Sequence, residues 1–259
     1  MQRADGVFSV ITNSKWGGEM GKVALITVVH DPSGKKVELF KQLQNDLESM
    51  YAELFIAISD QSSAELVEVM ERSGFNVKVI PKKGAAEARR ESVRFGLTGD
   101  SGHFHYCDFD RLLTWGKNHL GELKQIIQRI PEYSYLILGR TERAMETHPV
   151  EWKETERITN IIVSLELGQE VDITAGSCAF SRKNAEYIKG FSNGKMTDAE
   201  WVMIARRIAK SEFGYLPVEG LEYHEDTNGI SRKISEAEKW LGRLELSYVI
   251  SETSVRTGK

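Results

Sequence analysis

The feature that most constrains the fold is a regular alternation of short apolar runs with amphipathic segments. Residues 22–29 form the first run, which is almost entirely apolar and rich in β-branched side chains, as in a strand buried on both faces. Shorter strand-like segments follow at residues 54–58, 76–80 and 103–107, and helical apolar spacing fills the segments 36–50, 64–73 and 85–95 between them. Because parallel strands require crossover connections, this alternation predicts an α/β fold with a mostly parallel central sheet flanked by helices.

The second half of the chain has a less regular pattern. It predicts helices at residues 117–129, 152–167, 198–210 and 236–247, and strands at residues 135–138, 177–181 and 214–218. No internal repeat or linker interrupts the chain, so we expect a single domain over residues 1–259, with halves at 22–110 and 111–259 and a mixed C-terminal half. Residues 1–21 have no clear periodicity, although residues 7–12 could add a strand.

The composition of the 259 residues is that of a compact enzyme domain, with 41% apolar and 28% charged side chains. A net charge of −4 gives no electrostatic reason to expect a nucleic-acid partner. We expect no transmembrane segment, since no apolar run approaches the roughly 20 residues needed to cross a bilayer. Cys107 and Cys178 lie in apolar strand-like runs, which predicts buried free thiols in a cytoplasmic protein.

Two carboxylates, Asp108 and Asp110, directly follow the strand predicted at residues 103–107. In an extended segment, side chains two residues apart point to the same side, so both could bind one divalent cation beside a phosphate or diphosphate. Acidic pairs also occur at ordinary strand ends, and the motif alone is weak. Its position strengthens it, because open α/β sheets bind ligands at the carboxyl ends of their strands.

Asp60 and Arg89 are further candidates in the first half. Asp60 ends the second predicted strand, where it could contact a ligand, shape a turn or cap the following helix. Arg89 lies in a helix opened by Gly84, and its planar guanidinium could stack on a base or bind a phosphate. The neighbouring charges of that helix, Arg90, Glu91 and Arg94, are expected to form a solvent-exposed face.

Three candidates lie in the second half. Thr197 and Glu200 have the spacing of a capping box, which would leave Asp198 in the first turn of a helix, ionised and somewhat less basic than usual. Gly176 precedes a strand of small residues and could let a ligand approach the backbone, or simply begin a core strand. His224 lies in a polar loop, either as a metal ligand or simply solvated, and Asp226 is a weaker substitute.

Several of these segments, in this order, resemble the GT-A glycosyltransferases, particularly the large inverting family that uses nucleotide-diphosphate sugars. The similarity covers roughly residues 22–226 and is carried by the segments 56–63, 84–91, 108–110, 176–182, 197–201 and 223–227. The chain departs from that family at Gln61, Arg90 and Thr197, where the family usually has Asp, Asn and Glu.

The resemblance implies a Rossmann-like GT-A fold and an enzyme, a metal-dependent, hexosyltransferase-like glycosyltransferase. Such an enzyme moves a sugar from a nucleotide-diphosphate sugar to a hydroxyl of a sugar, glycan or small molecule and uses Mn²⁺ or Mg²⁺, and the resemblance favours inversion. The residue roles that it implies are nucleotide contact by Asp60 and Arg89, metal binding by Asp108, Asp110 and His224, support of the sugar and acceptor by Gly176, a catalytic base at Asp198 and the family's trailing arginine at Arg206.

Other functions remain open at the level of sequence. A sugar-phosphate nucleotidyltransferase would carry a glycine-rich basic loop after the first strand, which residues 30–36 only poorly approximate. A non-catalytic nucleotide-sugar-binding module on the same scaffold is a further alternative, because a fold does not fix a function. Retention of configuration is also open, because the match around Asp198 is incomplete.

Overall fold

The structure is a computed structural model that describes residues 22–229 and 235–259. The strand considered for residues 7–12 lies outside the described residues. Within the described ranges, seven strands form one sheet in the order β3-β2-β1-β4-β6-β5-β7. They are β1 (Val23–Val29), β2 (Glu53–Ser59), β3 (Asn76–Ile80), β4 (His103–Cys107), β5 (Tyr135–Arg140), β6 (Ser177–Ser181) and β7 (Phe213–Val218). Only β6 runs antiparallel to its neighbours β4 and β5, which confirms the predicted mostly parallel sheet.

The order of the strands reverses at β1. The chain moves from β1 outward to β2 and β3, and then returns to place β4 on the other side of β1. Because β1 and β4 are parallel, their carboxyl ends lie at the same edge of the sheet. Asp31 and Asp108, which follow these two strands, are therefore brought to the switch point where open α/β sheets bind ligands.

Ten α-helices surround the sheet in the part of the chain that the structure describes. They are α1 (Val37–Met50), α2 (Ala64–Glu71), α3 (Ala85–Gly96), α4 (Phe109–Arg129), α5 (Glu142–Glu146), α6 (Val150–Leu167), α7 (Arg182–Phe191), α8 (Asp198–Met203), α9 (Glu225–Asn228) and α10 (Glu236–Arg256). Short 3₁₀ and π-helical turns follow α4 and α8, at Ile130–Glu132 and Ile204–Ile208.

Some predicted boundaries were wrong. The helix expected at residues 117–129 corresponds to the second part of α4, which kinks at His119. The helical conformation already begins at Phe109, because Phe109, Leu112 and Leu113 bury one face of the first turns. The helix expected at residues 198–210 is α-helical only to Met203. The last helix continues to Arg256, well beyond residue 247.

The sheet separates two apolar cores. One contains buried side chains of α1, α2 and α4, including Phe40, Leu47 and Trp115. The other lies under α3, α6, α7 and α8 and includes Phe180 and Trp201. Cys107 and Cys178 are both buried free thiols, as predicted. None of the helices among the described residues is both long enough and apolar enough to span a bilayer.

Gly96 sets the distance between α3, which carries Arg89, and the sheet. A Cβ atom at this position would lie 2.5 Å from Ile26 Cγ2 of β1. We expect Gly96→Ala to lower the free energy of unfolding by about 1–3 kcal/mol, because α3 would have to move away from the sheet.

The matched control is Gly121→Ala in α4, where no atom lies within 4 Å of the added methyl group. Alanine is the better helix former there, so this variant should be stabilised by up to about 1 kcal/mol. Denaturant unfolding of both variants checks the pair. Equal effects of the two substitutions would contradict the proposed close packing of α3.

Candidate active site

A cavity of about 950 Å³ opens at the carboxyl edge of the sheet, next to the switch point. Its walls come from the loop after β1, the start of α3, the junction of β4 and α4, the segment before β6, and the helices α6, α8 and α10. Of the residues predicted from sequence, the cavity brings together Arg89, Asp108, Asp110, Gly176 and Asp198. Asp60, Arg206 and His224 are not part of its wall.

Arg89 joins two carboxylates that come from distant parts of the chain. Its Nε and Nη2 atoms donate to the two oxygens of Asp108, at 3.3 and 2.6 Å, and Nη1 donates to Asp198 Oδ2 at 2.7 Å. The Arg89 side chain is buried, and Tyr106 donates a further hydrogen bond to Asp108. Burial alone would lower the pKa of Arg89, but the charges of Asp108 and Asp198 outweigh it and raise that pKa well above its usual value.

Most of the N–H donors of Arg89 are already used within the protein, which bears on its predicted contact with a nucleotide. Nε, Nη1 and Nη2 all donate to protein groups, with Thr197 Oγ1 as a fourth acceptor at 3.3 Å from Nη1. A guanidinium has five N–H donors, so most are already used. Nucleotide contact by Arg89 stays a prediction, whereas the observed contacts position two carboxylates.

Gly176 permits the close packing of Asp108 against the segment before β6. Its carbonyl accepts a hydrogen bond from the Asp108 amide at 3.0 Å, and its φ of +76° lies in the left-handed region. A Cβ atom here would lie 2.8 Å from Asp108 Oδ2. The absence of a side chain at Gly176 therefore lets Asp108 pack against the segment before β6, and Gly176 also lines the cavity.

Asp198 lies at the start of α8, as predicted, but the expected capping box does not form. The Thr197 side chain makes no cap bond to the helix. Glu200 instead accepts from the amides of Asn193 and Gly194, at 2.7 and 2.5 Å, and so closes the turn before α8. Glu200 is itself buried, so its carboxylate requires hydrogen-bond donors of this kind.

The expected loss of basicity at Asp198 was also wrong in direction. Burial raises the pKa of this carboxyl group above its usual value, while Arg89 acts in the opposite sense. Desolvation outweighs the helix-terminus effect because the Asp198 side chain is only 7% exposed. A carboxylate with a raised pKa is a better proton acceptor.

Arg90 does not belong to a solvent-exposed face. It is largely buried, donates from Nε to Ser192 Oγ at 3.0 Å and contacts the Gly194 carbonyl. It thereby ties α3 to the turn that Glu200 closes. Arg94 pairs with Glu87 and Glu91, as expected for a helix surface.

The two aspartates do not share the extended geometry that was assumed for them. Asp108 has extended backbone angles, but Asp110 lies in the first turn of α4. Asp110 Oδ2 accepts from Asn228 Nδ2 at 2.9 Å, and Asn228 was not predicted from sequence. Both carboxylates still line the same cavity.

The side chain of His224, predicted as a metal ligand, contacts Glu222 and Asn118 rather than the aspartates of the cavity. Its Nε2 lies 2.9 Å from Glu222 Oε1 and 3.1 Å from Asn118 Nδ2. Only its backbone approaches the cavity, through an amide hydrogen bond to Asn228 Oδ1 at 2.8 Å. Asp226, its weaker substitute, is exposed and does not line the cavity.

Asp60 and Arg206 lie outside the cavity wall. Asp60 is exposed and accepts from the Lys82 amide at 3.1 Å, so it contacts a lining residue without lining the cavity. It is not the helix cap either, since Ser63 accepts from Leu66 N and caps α2. Arg206 is exposed and lies over the Phe213 ring at 5.5 Å.

The loop after β1, which only poorly matches a glycine-rich phosphate loop in sequence, forms part of the site. Asp31 is buried and accepts from the amides of Lys35 and Lys36, at 3.2 and 2.8 Å. These bonds fold residues 31–36 into a tight turn that lines the cavity, with Gly34 at a φ of +70°. Lys36 and Lys82 therefore bring positive charge to this end of the cavity.

The opposite end of the cavity contains arginines that the sequence did not single out. Arg111, Trp152, Glu156 and Arg243 line it, from α4, α6 and α10. No periodicity or motif marked these positions, although Arg111 directly follows the Asp-x-Asp sequence. Their proximity depends on the packing of α10 against α6.

Among the described residues, no group of three or more His, Cys, Asp or Glu side chains could hold a metal ion. The cavity instead offers two carboxylates, Asp108 and Asp110. Magnesium is commonly bound by one or two carboxylates together with substrate phosphates rather than by a complete protein cage. The donor set therefore fits a divalent cation that binds together with a phosphorylated ligand.

Three solved structures that resemble this fold are glycosyltransferases. Glucosyl-3-phosphoglycerate synthase from Mycobacterium tuberculosis, solved with Mn²⁺, UDP-glucose and phosphoglyceric acid, is 14% identical, with a TM-score of 0.53 over 91% of this chain and 79% of that one. Mannosyl-3-phosphoglycerate synthase from Rubrobacter xylanophilus is 13% identical, with a TM-score of 0.56 over 91% and 73%. A mannosyltransferase from Pyrobaculum calidifontis, solved with GDP-Man and Mn²⁺, is 12% identical, with a TM-score of 0.53 over 92% and 65%.

The chain therefore has the GT-A fold, as the sequence resemblance predicted. Neither a protein-family model nor a curated protein matches the sequence. Identities of 12–14% establish the architecture alone.

The raised pKa of Asp198 predicts a specific pH dependence of stability. The folded state holds the Asp198 proton more tightly than the unfolded state, so this group stabilises the fold most below the unfolded pKa of about 3.9. That contribution is lost as the pH rises through the folded pKa.

We therefore expect the free energy of unfolding of the parent, relative to that of Asp198→Asn, to decrease as the pH rises from about 3.9 through the folded pKa of Asp198. Denaturant titrations of both proteins at several pH values check the trend. A difference that grows in favour of the parent with rising pH would show that the Asp198 pKa is lowered instead.

Proposed function

We propose that this protein is a metal-dependent glycosyltransferase that moves a sugar from a nucleotide-diphosphate sugar to an acceptor hydroxyl with inversion. The observation that carries the proposal is the convergence of Asp108, Asp110, Arg89 and Asp198 on one cavity at the switch point of a GT-A fold. The set combines candidate metal ligands with a desolvated carboxyl group, which are the two kinds of group that this reaction requires.

Asp108 and Asp110 are the proposed metal-binding residues. When bound, Mn²⁺ or Mg²⁺ would neutralise negative charge on the departing nucleotide diphosphate. Asn228 holds Asp110 in place through its side-chain amide, and Arg89 holds Asp108. His224 contacts Glu222 and Asn118 in this structure, so the proposal does not depend on it.

Asp198 is the proposed general base. It would accept the proton of the acceptor hydroxyl while the hydroxyl oxygen forms a bond to the anomeric carbon. The bond from that carbon to the diphosphate oxygen breaks, and the diphosphate leaves from the opposite face. Burial raises the pKa of Asp198, which favours proton uptake, and Arg89 fixes its orientation.

The nucleotide is assigned to the end of the cavity formed by residues 30–36, Lys82 and Ala85, and the acceptor to the end formed by α6 and α10. Lys36 and Lys82 support the first assignment by their charge. The solved neighbours contain UDP-glucose and GDP-Man, so UDP- and GDP-sugars are the donors to screen first.

Loss of Asp110 should remove the metal dependence of nucleotide binding. We expect Asp110→Asn to weaken binding of UDP or GDP in the presence of Mn²⁺ by at least about tenfold, since even indirect contacts to a metal contribute that much. Binding without metal should change little. Calorimetric titration with and without Mn²⁺ measures both.

Asp226→Asn is the control for this experiment, because Asp226 is exposed and outside the cavity wall. Metal-dependent binding that survives in Asp110→Asn, or that is lost equally in Asp226→Asn, would refute the metal site.

Loss of Asp198 should abolish transfer without abolishing donor binding. A general base contributes about 10²–10⁴-fold, so turnover per folded Asp198→Asn molecule should fall by that factor. Nucleotide affinity should remain within a few fold of the parent.

Retained turnover would exclude the inverting mechanism with Asp198 as base. A parent protein that binds nucleotide but neither transfers nor hydrolyses any donor would instead favour the non-catalytic binding module. Product anomer analysis by NMR separates inversion from retention.

A further inference from the structure

We propose that Arg111 forms a binding site for an anionic group, a carboxylate or a phosphate, on the acceptor. The inference rests on the proposed function, because it identifies one end of the cavity as the acceptor site. It adds a chemical class of substrate and names the residue that selects it.

Arg111 is a buried cation without a counter-ion among the described residues. Its residue exposure is 8%, and no carboxylate of the described residues lies within ion-pair distance. Its one hydrogen bond to the described part of the chain runs from Nη1 to the Glu222 carbonyl at 3.3 Å. A charge removed from water without a partner is costly, and an anionic ligand would compensate it.

The neighbouring arginines are already neutralised. Arg140 pairs with Asp172 and Glu156, each at 2.7 Å, and Arg243 pairs with Glu156. Two guanidinium groups thus share two carboxylates, which leaves no surplus negative charge for Arg111. Burial lowers the pKa of Arg243, and the charges of Arg111 and Arg140 lower it further, as expected for an excess of positive charge.

Aromatic rings hold the Arg111 guanidinium in place. Its Cζ lies 5.6 Å from the Trp152 ring centroid and 5.7 Å from that of Tyr223, while Arg243 packs on the same Trp152 ring at 3.9 Å. A guanidinium held by cation–π contacts uses no N–H group for them and keeps its donors for bidentate binding of a carboxylate or phosphate. The site is therefore ordered before a ligand binds.

Two parts of the reactants could supply the anion, namely the acceptor or the donor diphosphate. Arg111 directly follows Asp110, which keeps the diphosphate possible. However, its contacts are with Trp152 and Tyr223, and the lysines that line the cavity come from residues 35, 36 and 82 at the other end. We therefore assign the anion to the acceptor.

The test uses sulfate as the probe, since it mimics phosphate and leaves Mg²⁺ in solution. The melting temperature is followed against sulfate concentration at constant ionic strength. Sulfate also stabilises proteins non-specifically, so only the saturable part of the rise reports a site. We expect the parent to show a saturable rise and Arg111→Met to bind sulfate about 10- to 100-fold more weakly.

Arg206→Met is the matched control, because Arg206 also packs on an aromatic ring but is exposed and outside the cavity wall. It should bind sulfate as the parent does. Arg111→Lys keeps the charge without the planar fork and should bind with intermediate affinity, which keeps the test decisive if Arg111→Met does not fold.

A second arm repeats the titration with saturating UDP and Mg²⁺. Unchanged sulfate affinity supports an acceptor site, whereas competition would assign Arg111 to the donor diphosphate and overturn the inference. No saturable rise in the parent, or an equal rise in Arg111→Met, would also overturn it. If the Arg111 site is overturned but the parent still binds UDP, the proposed glycosyltransferase function is unaffected. If the parent does not bind UDP, that result counts against the glycosyltransferase function and not against the Arg111 site.

Discussion

The ion cluster around Arg89 is the interaction on which the site depends. One buried guanidinium from α3 bridges Asp108, at the end of β4, and Asp198, at the start of α8. Without that charge, two carboxylates would face each other in a poorly solvated cavity, where like charges destabilise strongly. Two glycines make this ion cluster possible. Gly176 allows Asp108 to pack against the segment before β6, and Gly96 lets α3, which carries Arg89, lie close to the sheet.

Much of the fold could be predicted because its signals are local. The runs that form β1 and β2 are continuous and largely apolar, and the amphipathic helices that follow them have clear spacing, so the order and approximate bounds of these elements followed from sequence. The antiparallel direction of β6 could not be predicted, since direction depends on tertiary contacts rather than on periodicity. The early start of α4 was missed because the acidic pair resembled the end of a strand.

The site was predictable only where one segment carries the information. Asp108, Asp110 and Arg89 were found through short motifs, and all three line the cavity. The capping box predicted for Thr197 and Glu200 was wrong. Their spacing fits a helix cap, but Glu200 accepts hydrogen bonds from the amides of Asn193 and Gly194. A local pattern identifies an acceptor, but it cannot tell which of several nearby donors the folded chain will present.

Arg111 and Asn228 illustrate what sequence cannot supply. Each owes its position to a contact across more than 100 residues, from Arg111 to Glu222 and from Asn228 to Asp110. The same long-range packing separates charges along the cavity, with lysines near the loop after β1 and Arg111 beside Trp152 of α6. Between these ends lie Asp108 and Asp198, held by a single arginine. A ligand carrying negative charge at both ends and a neutral hydroxyl between them would match this distribution, because each charged group would meet an opposite field and the hydroxyl would meet the desolvated carboxylate.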